Sequence, residues 1–248
     1  MSRPASHILV AVIAVAVPLV ITGTAVIALF QPWIVQAQYS LPGFPADPGG
    51  AKSGSGDPSG GGRSGAGSGE AAVITTAERT ELAETGVRSV APLGPGTGLL
   101  REARLPDGAA AFSPREIAHM EDVRDLTRSI AALWLFALAA GLVAGLSLRR
   151  AGYAGRVRAG LRLGALATLA AVAVTGLAML VSFGTIFDRF HALFFAPESW
   201  QFATDDTLIR LYPEAFWALG SAALVTLILL QAAVCLAVTR APGRAGAA

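Results

Sequence analysis

Four stretches of the sequence, 8–30, 130–148, 163–181 and 215–239, contain no Asp, Glu, Lys or Arg. Each is near the ~20 residues that a helix rising ~1.5 Å per residue needs to cross ~30 Å of hydrocarbon. No other feature limits the fold as strongly. In lipid every backbone N–H and C=O must find its partner inside the protein, and a single span achieves that only as a helix. The expected fold class is therefore an all-α integral membrane protein with four transmembrane helices, over 1–30, 130–148, 163–182 and 215–239. Composition agrees, because 53% hydrophobic and 15% charged residues leave too little polar surface to cover a soluble core. Val35-Gln36-Ala37 loosely fits a small-x-small cleavage site. The first apolar run is nevertheless longer than the ~7–15 residues of a signal-peptide core and is read as a retained span.

Orientation follows from the charges. The start of the chain, the loop 149–162 and the tail 240–248 carry Arg3, Arg149, Arg150, Arg156, Arg158, Arg162, Arg240 and Arg244 and no acid. The segments 31–129 and 183–214 hold the other eleven basic residues and all seventeen acidic ones. Basic residues in short loops stay on the cytoplasmic side, so both termini are expected inside and both acid-rich segments outside. The net charge of +2 thus hides two faces of opposite character, and the basic one is a topology signal rather than a nucleic-acid surface. Cys235 is the one cysteine and falls within the last apolar run; no intramolecular disulfide can form, and a thiol among Val, Leu and Ala is read as packing.

The outer segment 31–129 is expected to be a small mixed domain with several parts. Residues 42–69 contain eleven glycines among Ser and Pro, too little apolar surface to offset the entropy of ordering them, and read as a disordered linker. Thr75-x-x-Glu78 is a capping box that opens a short polar helix to about Ser89. Around Pro106-Asp107-Gly108, two short strands are expected. In Ser113-Pro114-Arg115-Glu116 the serine caps, the proline sits where its missing N–H costs nothing, and the glutamate reaches back. A helix starting at Pro114 meets no stop signal before the second span, so 114–129 is expected to be that span's outer extension.

The segment 183–214 is expected to be an aromatic loop at the membrane interface, with Phe183, Phe187, Phe190, Phe194 and Phe195 forming the girdle found where helices leave hydrocarbon. Asp205 or Asp206 can cap a short helix ended by Pro213.

Three histidines are present. His7 stands at the cytoplasmic start of the first span and reads as a solvated polar residue. His119 has Glu116 and Asp122 three residues to either side, and His191 has Asp188 three residues before it, spacings that share a helical face. Both are expected at the outer membrane level, where a neutral imidazole oriented by a carboxylate can exchange protons. Gly141-x-x-x-Gly145 and Gly160-x-x-x-Gly164 fit close helix packing, read as intramolecular. No phosphate loop, Gly-x-Ser-x-Gly elbow or Cys-x-x-Cys pair occurs, so acyl chemistry here would use a nucleophile supplied by the substrate.

Two motifs carry a resemblance. Glu116-x-x-His119-x-x-Asp122-Val123, followed by Phe190-His191-x-x-Phe194-Phe195, Trp200, Asp206, Leu208-Ile209 and Pro213, is similar to the pattern of a bacterial family of four-helix integral membrane proteins that includes the lipoprotein intramolecular transacylase. The resemblance covers the four spans and both motif regions, and not the Gly-rich insert or 73–100. It implies a protein of the bacterial cytoplasmic membrane with its site on the extracytoplasmic face. The implied reaction moves an acyl chain from the sn-2 ester of a lipoprotein's diacylglyceryl group to the α-amine of its N-terminal cysteine. The implied catalytic residues are His119 and His191; Glu116, Asp122, Asp188 and Asp206 are the candidates to support them, Asp122 and Asp188 by orienting the imidazoles.

Phe187, Phe190, Phe194, Phe195 and Trp200 would contact lipid or substrate. The expected partners are diacylated lipoproteins and membrane lipid, with no nucleic acid, no cofactor and no metal, and the chain is expected to be a monomer. Two rival readings stand beside this one: a non-enzymatic metal or haem binder built on the two histidines, and a lipid-binding scaffold indifferent to them.

Overall fold

A computed structural model of the protein describes residues 3–47 and 74–240. Most of the Gly-rich stretch (48–69) and the tail 241–248 lie outside the described residues. Four helices are long and apolar enough to cross a membrane: α1 (Arg3–Leu29), α5 (Pro114–Arg150), α6 (Ala154–Phe194) and α8 (Glu214–Arg240). Four short helices, α2 (Pro32–Tyr39), α3 (Thr76–Val90), α4 (Gly98–Glu102) and α7 (Thr207–Leu211), complete the described secondary structure. The protein is multi-pass and all-α, with no sheet among the described residues. The chain divides into two compact units, Met1–Leu29, Ser129–Phe190 and Ser221–Ala248 forming the first, and Phe30–Arg128 and His191–Gly220 the second.

The first unit is built on close helix contacts. A Cβ added at Gly164 would lie 2.5 Å from the Val17 Cβ, and one at Gly160 would lie 2.9 Å from the Ile13 Cβ. These distances are below van der Waals contact, so the glycines are what let α6 approach α1. Gly141 does the same, more loosely, for α5 against α1, where an added Cβ would lie 3.2 Å from the Ala16 Cβ. Small-xxx-small spacing therefore serves packing within the chain at these positions. Ile21, Ala25, Ile228 and Ala232 form one buried cluster, and Ile13, Ala144 and Leu148 another. Other large apolar residues, among them Phe136, Leu180 and Val234, are exposed, as a lipid-facing surface requires. The helix α6 is interrupted at Ser182, where the backbone is extended (φ −158°, ψ 78°). The Ser182 hydroxyl bonds the Thr185 hydroxyl at 2.7 Å, and the helix resumes to Phe194. The first twelve residues of the expected interfacial loop 183–214 are thus helical.

The second unit is polar and ordered by side chains that bond backbone. Both expected capping boxes are present. Thr75 accepts from the Glu78 N–H while the Glu78 carboxylate accepts from the Thr75 N–H, and Ser113 and Glu116 pair in the same way at the head of α5.

Gly86 on α3 lets Tyr212 in, since a Cβ there would meet the tyrosine oxygen at 2.1 Å. That hydroxyl donates to the Ala83 carbonyl at 2.6 Å, and burial pushes its pKa strongly upward. A buried ion pair joins Arg210 to Asp47. Beside it, Arg79 donates to the carbonyls of Arg210 and Pro45 and lies over the rings of Tyr39 and Phe44.

Two sequence expectations fail here. The mixed domain does not form: Leu99-Leu100-Arg101-Glu102 are good helix formers and give α4, and the Pro-Asp-Gly turn closes only a single bridge between Arg104 and Ala110. The start of the expected linker 42–69 is also tied down, because Pro45 and Asp47 are bound by the buried Arg79 and Arg210; residues 48–69 lie outside the described residues.

Candidate active site

Both motif histidines belong to the second unit. His119 sits on the second turn of α5, whose start is fixed by the Ser113–Glu116 capping box, and His191 sits near the end of α6. They are 9% and 8% exposed, and their rings lie 6.4 Å apart at 28°.

Aromatic rings enclose the pair. Phe195 packs against both imidazoles, at 5.0 Å from His119 and 5.6 Å from His191. Trp200 stacks on His191 at 4.8 Å, and Phe202 meets His119 edge-on at 5.4 Å.

This setting determines the protonation of His119. Burial, reinforced by the neighbouring His191, lowers its pKa to about 4, so the imidazole is neutral at neutral pH and has a nitrogen free to accept. Its Nδ1 is buried with no hydrogen-bond partner. A buried polar atom left unbonded costs ~1–3 kcal/mol, a cost consistent with a site that a substrate group completes.

The supporting carboxylates are placed differently from one another. Glu116 is 2% exposed, and its two oxygens are taken by the backbone N–H groups of Ser113 and Leu208, both at 2.8 Å. It therefore ties α5 to α7 and orients the helix that bears His119, rather than an imidazole directly. Asp122 is exposed and does not engage the unpartnered His119 Nδ1, so the orienting role expected of it is not made through that atom. Asp188 is exposed and belongs to the first unit, as do Phe187 and Phe190. Asp206 stands at the N-cap of α7, but its carboxylate accepts from the Ala203 N–H at 2.7 Å and makes no bond to the helix it precedes. Phe194 is 48% exposed.

Sequence reading missed Phe202 and Arg115. Each lies beside a motif residue, but nothing in local spacing marks an aromatic in a loop as a neighbour of His119, 83 positions away. Among the described residues, no three His, Cys, Asp or Glu side chains converge as a metal-binding group.

Residues 100–217 match the family model of the lipoprotein intramolecular transacylase Lit, a stretch that contains both histidines. A protein of Aquifex aeolicus (strain VF5), described only as uncharacterized, is 33% identical over 144 residues, 58% of this chain. The chain spans about 63% of the length of that relative.

Among solved structures, the fold is similar to that of the membrane integral transacylase Lit from Bacillus cereus. The TM-score is 0.74 at 17% identity, over 96% of this chain and 96% of that one. A histidine-to-alanine variant of the same Bacillus cereus protein matches with a TM-score of 0.60 at 16% identity, over 95% of this chain and 92% of that one. Both motif histidines thus lie inside the stretch that matches the Lit family model, and the fold is similar to that of Lit across nearly the whole chain.

Proposed function

We propose that this protein is a membrane acyltransferase that moves the sn-2 acyl chain of a diacylated lipoprotein onto the α-amine of its N-terminal cysteine, with His119 and His191 as the acid–base pair. The observation that carries this reading is the adjacent, buried imidazole pair with one unpartnered nitrogen. An α-amine with a pKa near ~8 is mostly protonated and inert at neutral pH. One imidazole removes a proton as the nitrogen attacks the ester carbonyl, forming the C–N bond. The other donates to the developing oxyanion or to the sn-2 oxygen as the C–O bond breaks. The products are an N-terminal amide and a free sn-2 hydroxyl, with no bond formed to the enzyme. Acid–base steps of this kind contribute ~10²–10⁴-fold each, and holding amine and ester in a roughly eight-membered cyclic intermediate contributes effective molarity.

On this reading the second unit and the histidines face the extracytoplasmic side of the bacterial cytoplasmic membrane, both termini are cytoplasmic, and the protein acts as a monomer without a cofactor. Expression in a host that lacks such an activity tests the proposal by mass spectrometry of lipoprotein N-termini. Wild type should yield the N-acylated lyso form. His119→Ala and His191→Ala, inserted at equal levels, should leave the diacyl form with a free amine. Unchanged lipoproteins in the presence of inserted wild-type protein would defeat the proposal.

A further inference from the structure

Arg115 lies outside the histidine pair and yet ties down the loop that covers it. It is the second residue of α5, one before Glu116 and four before His119. Its guanidinium donates to the backbone carbonyls of Glu198 and Gln201 and lies 5.0 Å from the centroid of the Phe202 ring. Those contacts bracket the two rings that lie on the imidazoles, Trp200 on His191 and Phe202 on His119.

The segment so held has little to hold itself. The local bonds of the loop are the Phe195 N–H on the His191 carbonyl, the Ser199 N–H and hydroxyl on the Ala196 carbonyl, the Asp206 N–H on the Ala203 carbonyl, and the Ala203 N–H on the Asp206 carboxylate. Glu198 has φ +67°, a left-handed conformation that costs a residue bearing a Cβ ~1–2 kcal/mol and persists only where its surroundings impose it. An arginine exposed at its own position is free to point into water. Here it accepts instead a fixed geometry of two carbonyls and a ring face, which its planar fork suits and an ammonium group does not.

We infer that Arg115 is a positioning residue that clamps the loop 195–206 over His119 and His191 and thereby decides what nucleophile reaches the acyl group. The inference rests on the function proposed above for its chemical consequence. With the loop closed, the tethered amine is the nucleophile. With it open, water enters, its oxygen attacks the same ester carbonyl, the C–O bond breaks, and the acyl chain leaves as a free fatty acid while the sn-2 hydroxyl takes the proton. Excluding water from the pair thus separates transfer from hydrolysis.

The test uses the full-length protein in lipid bilayers with two readouts, one independent of activity. Peptide-resolved modification by diethyl pyrocarbonate should label His119 and His191 roughly tenfold faster in Arg115→Ala than in wild type. His7, exposed in the first unit, should label equally in both. Arg115→Met, which keeps the aliphatic stem and removes the donors, should behave like the alanine variant and decides the matter if that variant fails to fold. Arg115→Lys should fall between wild type and Arg115→Met.

With a synthetic diacylated lipopeptide, the ratio of free fatty acid to N-acylated product should rise in the same order. Histidines as protected in folded Arg115→Met as in wild type would overturn the clamp. Deprotection with an unchanged product ratio would overturn its role in choosing the nucleophile. If wild type makes no N-acylated product, the proposed function fails while the labelling result still decides whether the clamp exists.

Discussion

Glu116→Gln isolates what a buried carboxylate contributes to the placement of the site. In the native protein its two oxygens accept from the N–H groups of Leu208 and Ser113 at 2.8 Å. Leu208 is buried, whereas Ser113 is exposed. A glutamine keeps one acceptor and presents an NH₂ to the other donor. It should turn its oxygen toward Leu208 and leave the Ser113 N–H to water. The loss is then the charge assistance at one bond and the whole of the other, about 2 kcal/mol.

Glu116→Ala has no such option. The buried Leu208 N–H loses its acceptor outright, a desolvation cost that brings the total to about 4 kcal/mol. For a chain of this size each kcal/mol moves a melting temperature by ~2–4 °C, so the expected drops are roughly 4–8 °C and 8–16 °C. Tryptophan emission during heating in detergent is a suitable assay. Trp33, Trp200 and Trp217 lie in the second unit, where the change is made, and Trp134 lies in the first. Equal stability of wild type and Glu116→Gln, or an alanine variant no worse than the glutamine one, would refute the account of Glu116 as the tie between α5 and α7.

Three further outcomes follow from the second unit. Asp47→Asn should destabilise by about 3–5 kcal/mol, the cost of stranding the buried Arg210 guanidinium, while deletion of 51–68 should leave the melting temperature within about 2 °C of wild type because loop length enters closure entropy only logarithmically; both are read in the same melting assay. Gly86→Ala should destabilise because its Cβ would fall 2.1 Å from the Tyr212 oxygen, and the double variant with Tyr212→Phe should recover part of the loss, which a double-mutant cycle measures.

For pH, His119 has a folded pKa of about 4 against an ordinary value of 6.5. The folded state therefore binds fewer protons, and the stability this supplies is complete above pH 6.5 and is lost as the pH falls toward 4. The magnitude is on the order of 3 kcal/mol, and the acid-dependent fall in melting temperature of wild type should be visibly shallower in His119→Asn.

The parts of this fold legible in the sequence are those set by local rules. Charge-free runs gave the four long helices, and Ser/Thr-x-x-Glu spacing gave the starts of α3 and α5. The two motif histidines were legible as a pair because carboxylates and aromatics at helical spacing marked each one. Local rules fail where a long-range partner decides. Asp47 reads as the edge of a glycine-rich linker until Arg210, 163 residues away, is seen to bind it. Glu116 reads as a cap, and it is one, but its second oxygen serves a helix 92 residues on. The expected strands near Pro106 gave way to α4 because a lone hairpin with one bridge buries too little to outcompete a helical turn. Asp122, a neighbour of His119 by spacing, faces outward because the burial of His119 and Met120 fixes which face of α5 turns inward.

The central claim is that the acyl chain passes within one substrate molecule under the control of His119 and His191. It is tested most directly with purified protein in liposomes and a diacylated lipopeptide labelled isotopically in its sn-2 acyl chain. Tandem mass spectrometry should find a product of unchanged total mass with the label on the N-terminal amine, formed by wild type and lost by more than ~10²-fold in either His119→Ala or His191→Ala. A product that has lost the labelled chain, that carries an unlabelled acyl group from bulk lipid, or that forms at wild-type rate in both variants would contradict the account.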